Sequence, residues 1–217
     1  MSAPEPEGGQ RLRFPGVRAP KPLLPPETER RLTLRQRQVL DALEGLVIEQ
    51  GLAELTMAQI AARVNCSLRT LYGISPSKDE LVLTVVDRRL HRIGRAAIES
   101  LDASMSPLEA VHAYLQAANE AVQPTTGAFV RDFAGFPGAK RLADAHAAYV
   151  IGVTQSLLDR AVSEGQIRPV DTAAVAHVLG GLGGEFGRAE VSPAIAKSPK
   201  ETADAITEII LRGLRRS

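Results

Sequence analysis

The chain has 217 residues, with 26 Lys and Arg against 25 Asp and Glu and a formal net charge of +1. Apolar residues make up 44% and charged residues 24%, the balance of a globular protein with a core, and no apolar run approaches the ~18 residues of a membrane span. A single cysteine excludes an internal disulfide framework, and with no signal-peptide apolar region at the N-terminus it fits a reducing cytoplasm. The near-neutral total also means that any affinity for nucleic acid must come from local placement of charge.

Residues 1–32 read as a disordered or polyproline-like arm. Half of the 14 prolines fall there, and no helical or strand period survives. Between Gly8 and Pro26 it carries Arg11, Arg13, Arg18 and Lys21 and no acid. It is either a solvated extension or a source of extra phosphate or minor-groove contacts. Arg35 to Gln50 then reads as an amphipathic helix. Val39, Leu40, Leu43, Leu46 and Val47 face inward, and Gly51 ends the helix as the residue just past its last turn.

Residues 55–81 carry the most information. Thr56 is an N-cap, and Met57, Ile60, Ala61 and Val64 recur at the spacing of one helix face, with Gln59 and Arg63 on the wet side. Asn65 breaks the helix at a turn that needs a residue tolerant of positive φ, and Cys66 is a small apolar plug. Ser67 caps a second short helix whose inward anchor is Leu71. Leu68, Arg69, Thr70 and Tyr72 project outward near its start, and Gly73 ends it. Ser77-Lys78-Asp79-Glu80 opens a longer helix with apolar Leu81, Val82, Val85, Val86, Leu90 and Ile93. A short helix, a tight turn and a second short helix make a helix-turn-helix, whose second helix meets base edges in the major groove.

The remainder is helical throughout. Ser106-Pro107-Leu108-Glu109 and Ser198-Pro199-Lys200-Glu201 are two further N-terminal boxes. Pro124 opens a helix carrying Phe129 and Phe133, Ala139–Glu164 is long and stopped by Gly165, Asp171 caps another helix, and Thr202–Leu214 closes the chain. No alternating strand pattern occurs. The class is therefore all-α, with about nine helices.

Gly51, Thr56, Ile60-Ala61, Ser67, Thr70-Leu71-Tyr72, Ser77-Lys78 and Leu81 together resemble the DNA-binding domain of the TetR/AcrR family of bacterial repressors. Asn65-Cys66 replaces the usual Gly-Val of the turn, Ser75 stands where a buried aromatic is common, and Gly73-Ile74 replaces residues that often touch phosphate. The resemblance implies a three-helix DNA-binding domain over 33–80 and a helical effector-binding and dimerisation domain over 81–217. It implies a homodimer through the last two helices, about Asp171–Ala189 and Ser198–Leu214, that reads a palindromic operator on double-stranded DNA. Gly180, Gly181, Gly183 and Gly184 in the first of these point to close backbone approach between packed helices, since a helical Gly costs about 0.8–1 kcal/mol against Ala.

The candidate DNA contacts are Thr56, Ser67, Leu68, Arg69, Thr70, Tyr72 and Lys78. Arg69 is the first choice for a guanine edge, and Ser67, Thr70 and Lys78 match phosphate positions. Candidate effector contacts are Tyr114, Phe129, Phe133, His146, Tyr149 and Phe186, each also readable as plain core. With no Trp, three Tyr and five Phe, a lipophilic small molecule suits the chain better than a cation needing an aromatic cage. His91, His112, His146 and His177 show no metal-ligand spacing of the H-x3-H type, so neither a metal nor a cofactor is expected. No nucleophile elbow, metal motif or paired-acid constellation points to an enzyme. The expected function is a ligand-released transcriptional repressor; the alternative is a DNA-binding module controlled by a protein partner and lacking a small-molecule pocket.

Overall fold

The computed structural model describes residues 12, 14–123, 127–188 and 190–216. Its helices are α1 (Pro26–Arg31), α2 (Leu34–Gln50), α3 (Met57–Arg63), α4 (Leu68–Tyr72), α5 (Lys78–Glu99), α6 (Pro107–Ala118), α7 (Gly127–Ala134), α8 (Ala139–Ser163), α9 (Thr172–Phe186) and α10 (Pro199–Leu214). Short 3-10 turns occupy Asn119–Val122 and Ser192–Ala194. No strand forms among the described residues, only an isolated bridge between Ile167 and Arg215. The fold is all-α.

Local chemistry sets most helix starts. Thr33, Thr56, Ser106 and Ser198 each form a reciprocal capping box, with Gln36, Gln59, Glu109 and Glu201 respectively reaching back to the cap residue's N–H. The Thr33 and Thr56 boxes use glutamine and were not read from the sequence. Ser77 and Asp171 cap α5 and α9 from one side only, accepting from Glu80 N–H and Ala174 N–H. Pro124, the expected opener of α7, lies outside the described residues.

Two apolar cores share α5 and α8. The first holds Val39, Leu40, Leu43, Ile60, Leu71, Leu81, Val82 and Val85 with Phe136 and Leu142. The second holds Ala97, Val111, Tyr114, Leu115, Val153, Leu157, Leu158, Leu179 and Leu211. Since α5 enters the first with Leu81 and the second with Ala97, it is a rigid connection between them.

Over its described residues the segment expected to be a disordered arm is ordered. Leu24 and Leu32 are buried in the first core, while Phe14 and Val17 pack on the second. The Leu23 N–H donates to Asp87 Oδ2 at 2.7 Å. Proline-rich sequence denied this segment a periodic signal, yet its few apolar side chains find grooves between other elements. Arg11 and Arg13 lie outside the described residues.

Arg88 and Arg92, one turn apart on α5, are both paired with acids. Arg88 bonds Glu29 at 3.2 Å and Asp41 at 2.7 Å, and Arg92 reaches Glu44, which also holds Arg89 at 3.2 Å. These pairs tie α1 and α2 to α5.

The glycines of α9 divide into two kinds. A Cβ on Gly180 would sit 2.8 Å from Ile151 Cγ1 and 3.3 Å from its Cα, and one on Gly183 would sit 2.7 Å from Asn119 Oδ1. Close approach is therefore real, against α8 and the Asn119 turn of the same chain. Gly181 and Gly184 would meet nothing within 4 Å.

Candidate nucleic-acid interface

The turn between α3 and α4 is built by its hydrogen bonds. Asn65 N–H reaches Ala62 C=O at 3.2 Å and Cys66 N–H reaches Ala61 C=O at 2.9 Å. This is the paired closure of a Schellman motif, which requires a left-handed residue just past the helix. Asn65 supplies it with φ of 50°, the only non-glycine at positive φ among the described residues. The Arg35 guanidinium donates to the Asn65 carbonyl and braces the turn from α2. Cys66 is half-buried, and burial pushes its thiol up, opposed by the nearby Arg35 charge, so it has little thiolate character.

Ser67 Oγ then accepts from Thr70 N–H at 3.1 Å and lies 2.8 Å from Thr70 Oγ1. Leu71 is fully buried and anchors α4, which fixes its opposite face outward. That face presents Arg69, which is exposed, with Leu68 40% and Tyr72 52% exposed. Two large apolar side chains held in water beside an arginine, on a five-residue helix, suit contact with a partner surface. From Leu55 to Lys78 the chain has no acid but carries Arg63, Arg69 and Lys78, so the charge absent from the whole chain is present locally. Gly73 ends α4 as expected, with φ of −74° in the right-handed region. The N–H groups of Ile74 and Ser75 both return to Leu71 C=O at 2.9 Å, so the chain leaves α4 without a reversal.

Two expected contacts have structural employment. Thr56 Oγ1 lies in its capping box with Gln59. Lys78 Nζ donates to Ala53 C=O, fastening the start of α5 to the α2–α3 loop. Arg35 was missed by the sequence reading, because nothing in its local pattern places it beside a turn thirty residues away.

The residues expected to form an effector site do not converge. Tyr114 is fully buried, its hydroxyl without a hydrogen-bond partner, and burial pushes its ionisation far up. Phe129 and Phe133 stack at 5.4 Å and pack on the first core. Phe186 is half-buried at the end of α9. Of the six, His146 and Tyr149 come together on one cavity of about 240 Å³, lined also by Leu90, His91, Arg95, Ile98 and Glu99. His146 Nε2 lies 2.9 Å from Asp87 Oδ1, a carboxylate the sequence reading did not single out.

Comparison with known proteins places these features. Residues 39–85 match the sequence model of a family described as bacterial regulatory proteins, tetR family. The HTH-type transcriptional repressor KstR of Mycobacterium tuberculosis is 27% identical over 139 residues, which cover 61% of this chain and 60% of the repressor. An uncharacterized HTH-type transcriptional regulator of the same species is 32% identical over 80 residues, covering 37% of this chain and 40% of the regulator. The chain thus spans less than two thirds of the curated relatives it matches. Among solved structures, the TetR family transcriptional regulator PfmR of Thermus thermophilus superposes with a TM-score of 0.60 at 21% identity, over 82% of this chain and 99% of that one. A TetR transcription regulator of Haloarcula marismortui gives 0.67 at 18% identity, over 84% and 98%.

Proposed function

Because this chain belongs to the tetR family of bacterial regulatory proteins, we propose that it is a homodimeric repressor that reads a palindromic operator with α4 and is released by a small molecule bound among its C-terminal helices. The observation that carries the reading is the exposed face of α4, with Leu68, Arg69 and Tyr72 outward over the buried Leu71 anchor. Arg69 contacts a guanine edge; Leu68 and Tyr72 add apolar contact; Ser67, Thr70 and the remaining N–H groups of Lys78 meet phosphate.

Dimerisation runs through α9 and α10. Val178 on α9 is 52% exposed and Ile209 on α10 is 64% exposed. Gly181 and Gly184 leave space beside Val178 where a neighbouring backbone can approach. One α4 spans only a few base pairs, and two related by a two-fold axis read both halves of a palindrome.

The effector enters at the 240 Å³ cavity of His146 and Tyr149. Its Leu90 and Ile98 walls suit the lipophilic part of a compound and its Arg95 and Glu99 a polar end, and its size is below the roughly 300–1,000 Å³ of drug-sized sites, so binding widens it. The cavity lies on α5, the helix that also carries the DNA-binding core, so widening it shifts α4 relative to its dimer mate. In vitro selection of DNA by the full-length protein tests the reading. A two-fold symmetric motif that binds far more tightly than scrambled DNA is expected; salt-sensitive binding without a motif overturns it.

A further inference from the structure

Asp87 and His91 lie one turn apart on α5, and α8 brings His146 against both. The His146 Nε2 lies 2.9 Å from Asp87 Oδ1, the His91 Nε2 lies 3.4 Å from the same oxygen, and the three ligand atoms all fall within 4.8 Å of one another. The two imidazole rings meet edge to face with centroids 4.9 Å apart. We infer that Asp87, His91 and His146 form a binding site for a transition-metal dication of the zinc type, with three protein ligands and a fourth position open to the adjoining cavity. The inference stands on this geometry and not on the effector reading.

Four observations carry it. Two imidazoles and one carboxylate are a donor set that zinc and its neighbours prefer, and one that leaves a position for water. Bonds of about 2.0–2.1 Å in a tetrahedral site put ligand atoms about 3.3 Å apart, so the observed spacings need only small side-chain rotations. His91 Nε2 is buried with no hydrogen-bond partner, being out of alignment with Asp87, and an ion would satisfy it. The carboxylate ligand is also held from behind. Asp87 is buried, and its second oxygen accepts the Leu23 N–H, the kind of outer contact that orients a metal-bound carboxylate.

Both histidines line the 240 Å³ cavity, which gives the ion an entry path. Bound there, an ion would join α5, α8 and the segment before α1 at one point, and α5 is the helix that carries the DNA-binding core.

The test uses the full-length protein with Co²⁺ as a spectroscopic probe and Zn²⁺ as competitor. One cobalt per protomer is expected, with the visible absorption of a four- or five-coordinate nitrogen and oxygen site, displaced by zinc. His91→Gln and His146→Gln should each weaken cobalt binding by at least about tenfold, while His112→Gln leaves it unchanged. Circular dichroism of each variant separates a lost ligand from a lost fold, and zinc should raise the thermal midpoint of the unaltered protein reversibly with chelator. Absence of cobalt binding by the unaltered protein overturns the inference. So does binding that survives in both His91→Gln and His146→Gln.

Discussion

Asn65 makes a sharp prediction, because its contribution comes from backbone geometry and not from its side chain. With φ of 50° it closes the α3 Schellman motif, and the described contact at this residue is made by its main-chain carbonyl, to Arg35. A Cβ in the left-handed region costs about 1–2 kcal/mol, which Asn partly escapes and glycine escapes altogether, at an unfolded-chain entropy cost of about 0.4–1 kcal/mol. Asn65→Gly should therefore leave stability within about 1 kcal/mol of the parent, while Asn65→Val should lose about 2 kcal/mol, since a β-branched residue is worst there. For a protein of this size, 1 kcal/mol moves the thermal midpoint by about 2–4 °C, so the two variants should differ by several degrees in urea and thermal unfolding at equal protomer concentration. DNA affinity should follow the same order, because a distorted turn re-aims α4. Equal losses for Gly and Val would refute the backbone argument and give the Asn65 side chain a role that this structure does not provide.

Arg69→Ala should relax base preference at one position per half-site by about 1–3 kcal/mol, read in competition between operator and single-base variants. Lys78→Ala should weaken binding to all sequences alike. It should also cost about 1–2 kcal/mol of stability, since the Ala53 carbonyl loses a charged donor; chemical denaturation checks the second effect. Val178→Glu combined with Ile209→Glu should yield a folded monomer by sedimentation, with operator affinity lost. The Glu109 and Glu201 carboxyls are held below their usual range by the Ser106 and Ser198 hydroxyls and N–H groups. A lowered folded value stabilises above the unfolded glutamate value and is lost as pH falls through the folded one. The acid limb of a stability-against-pH profile should thus flatten in Glu109→Gln with Glu201→Gln.

The DNA-facing unit was legible in the sequence because its information is local. Thr56, Asn65 and Ser67 act on backbone within a few residues of themselves, and the Ile60 and Leu71 periods name the buried face directly. Gly73 ends α4 as its place in the sequence suggests, and the following Ile74 and Ser75 still bond the Leu71 carbonyl. What the sequence hid was tertiary. The docking of Leu24 and Leu32 has no period, and Arg88 and Arg92 find acids more than forty residues away. Asp87 and His91 form a one-turn pair that becomes a three-residue cluster only when α8 delivers His146. The α9 glycines were legible as a packing signal, but only coordinates tell Gly180, pressed on Ile151, from Gly181, which faces open space.

The central claim is that α4 reads DNA through Arg69 in a two-fold symmetric dimer. Parallel in vitro selection with the unaltered protein and with Arg69→Ala tests it most directly. The account predicts a palindromic motif for the first, and for the second the same motif with preference lost at one symmetric pair of positions. An unchanged motif for Arg69→Ala, or a motif without two-fold symmetry for the unaltered protein, would contradict it.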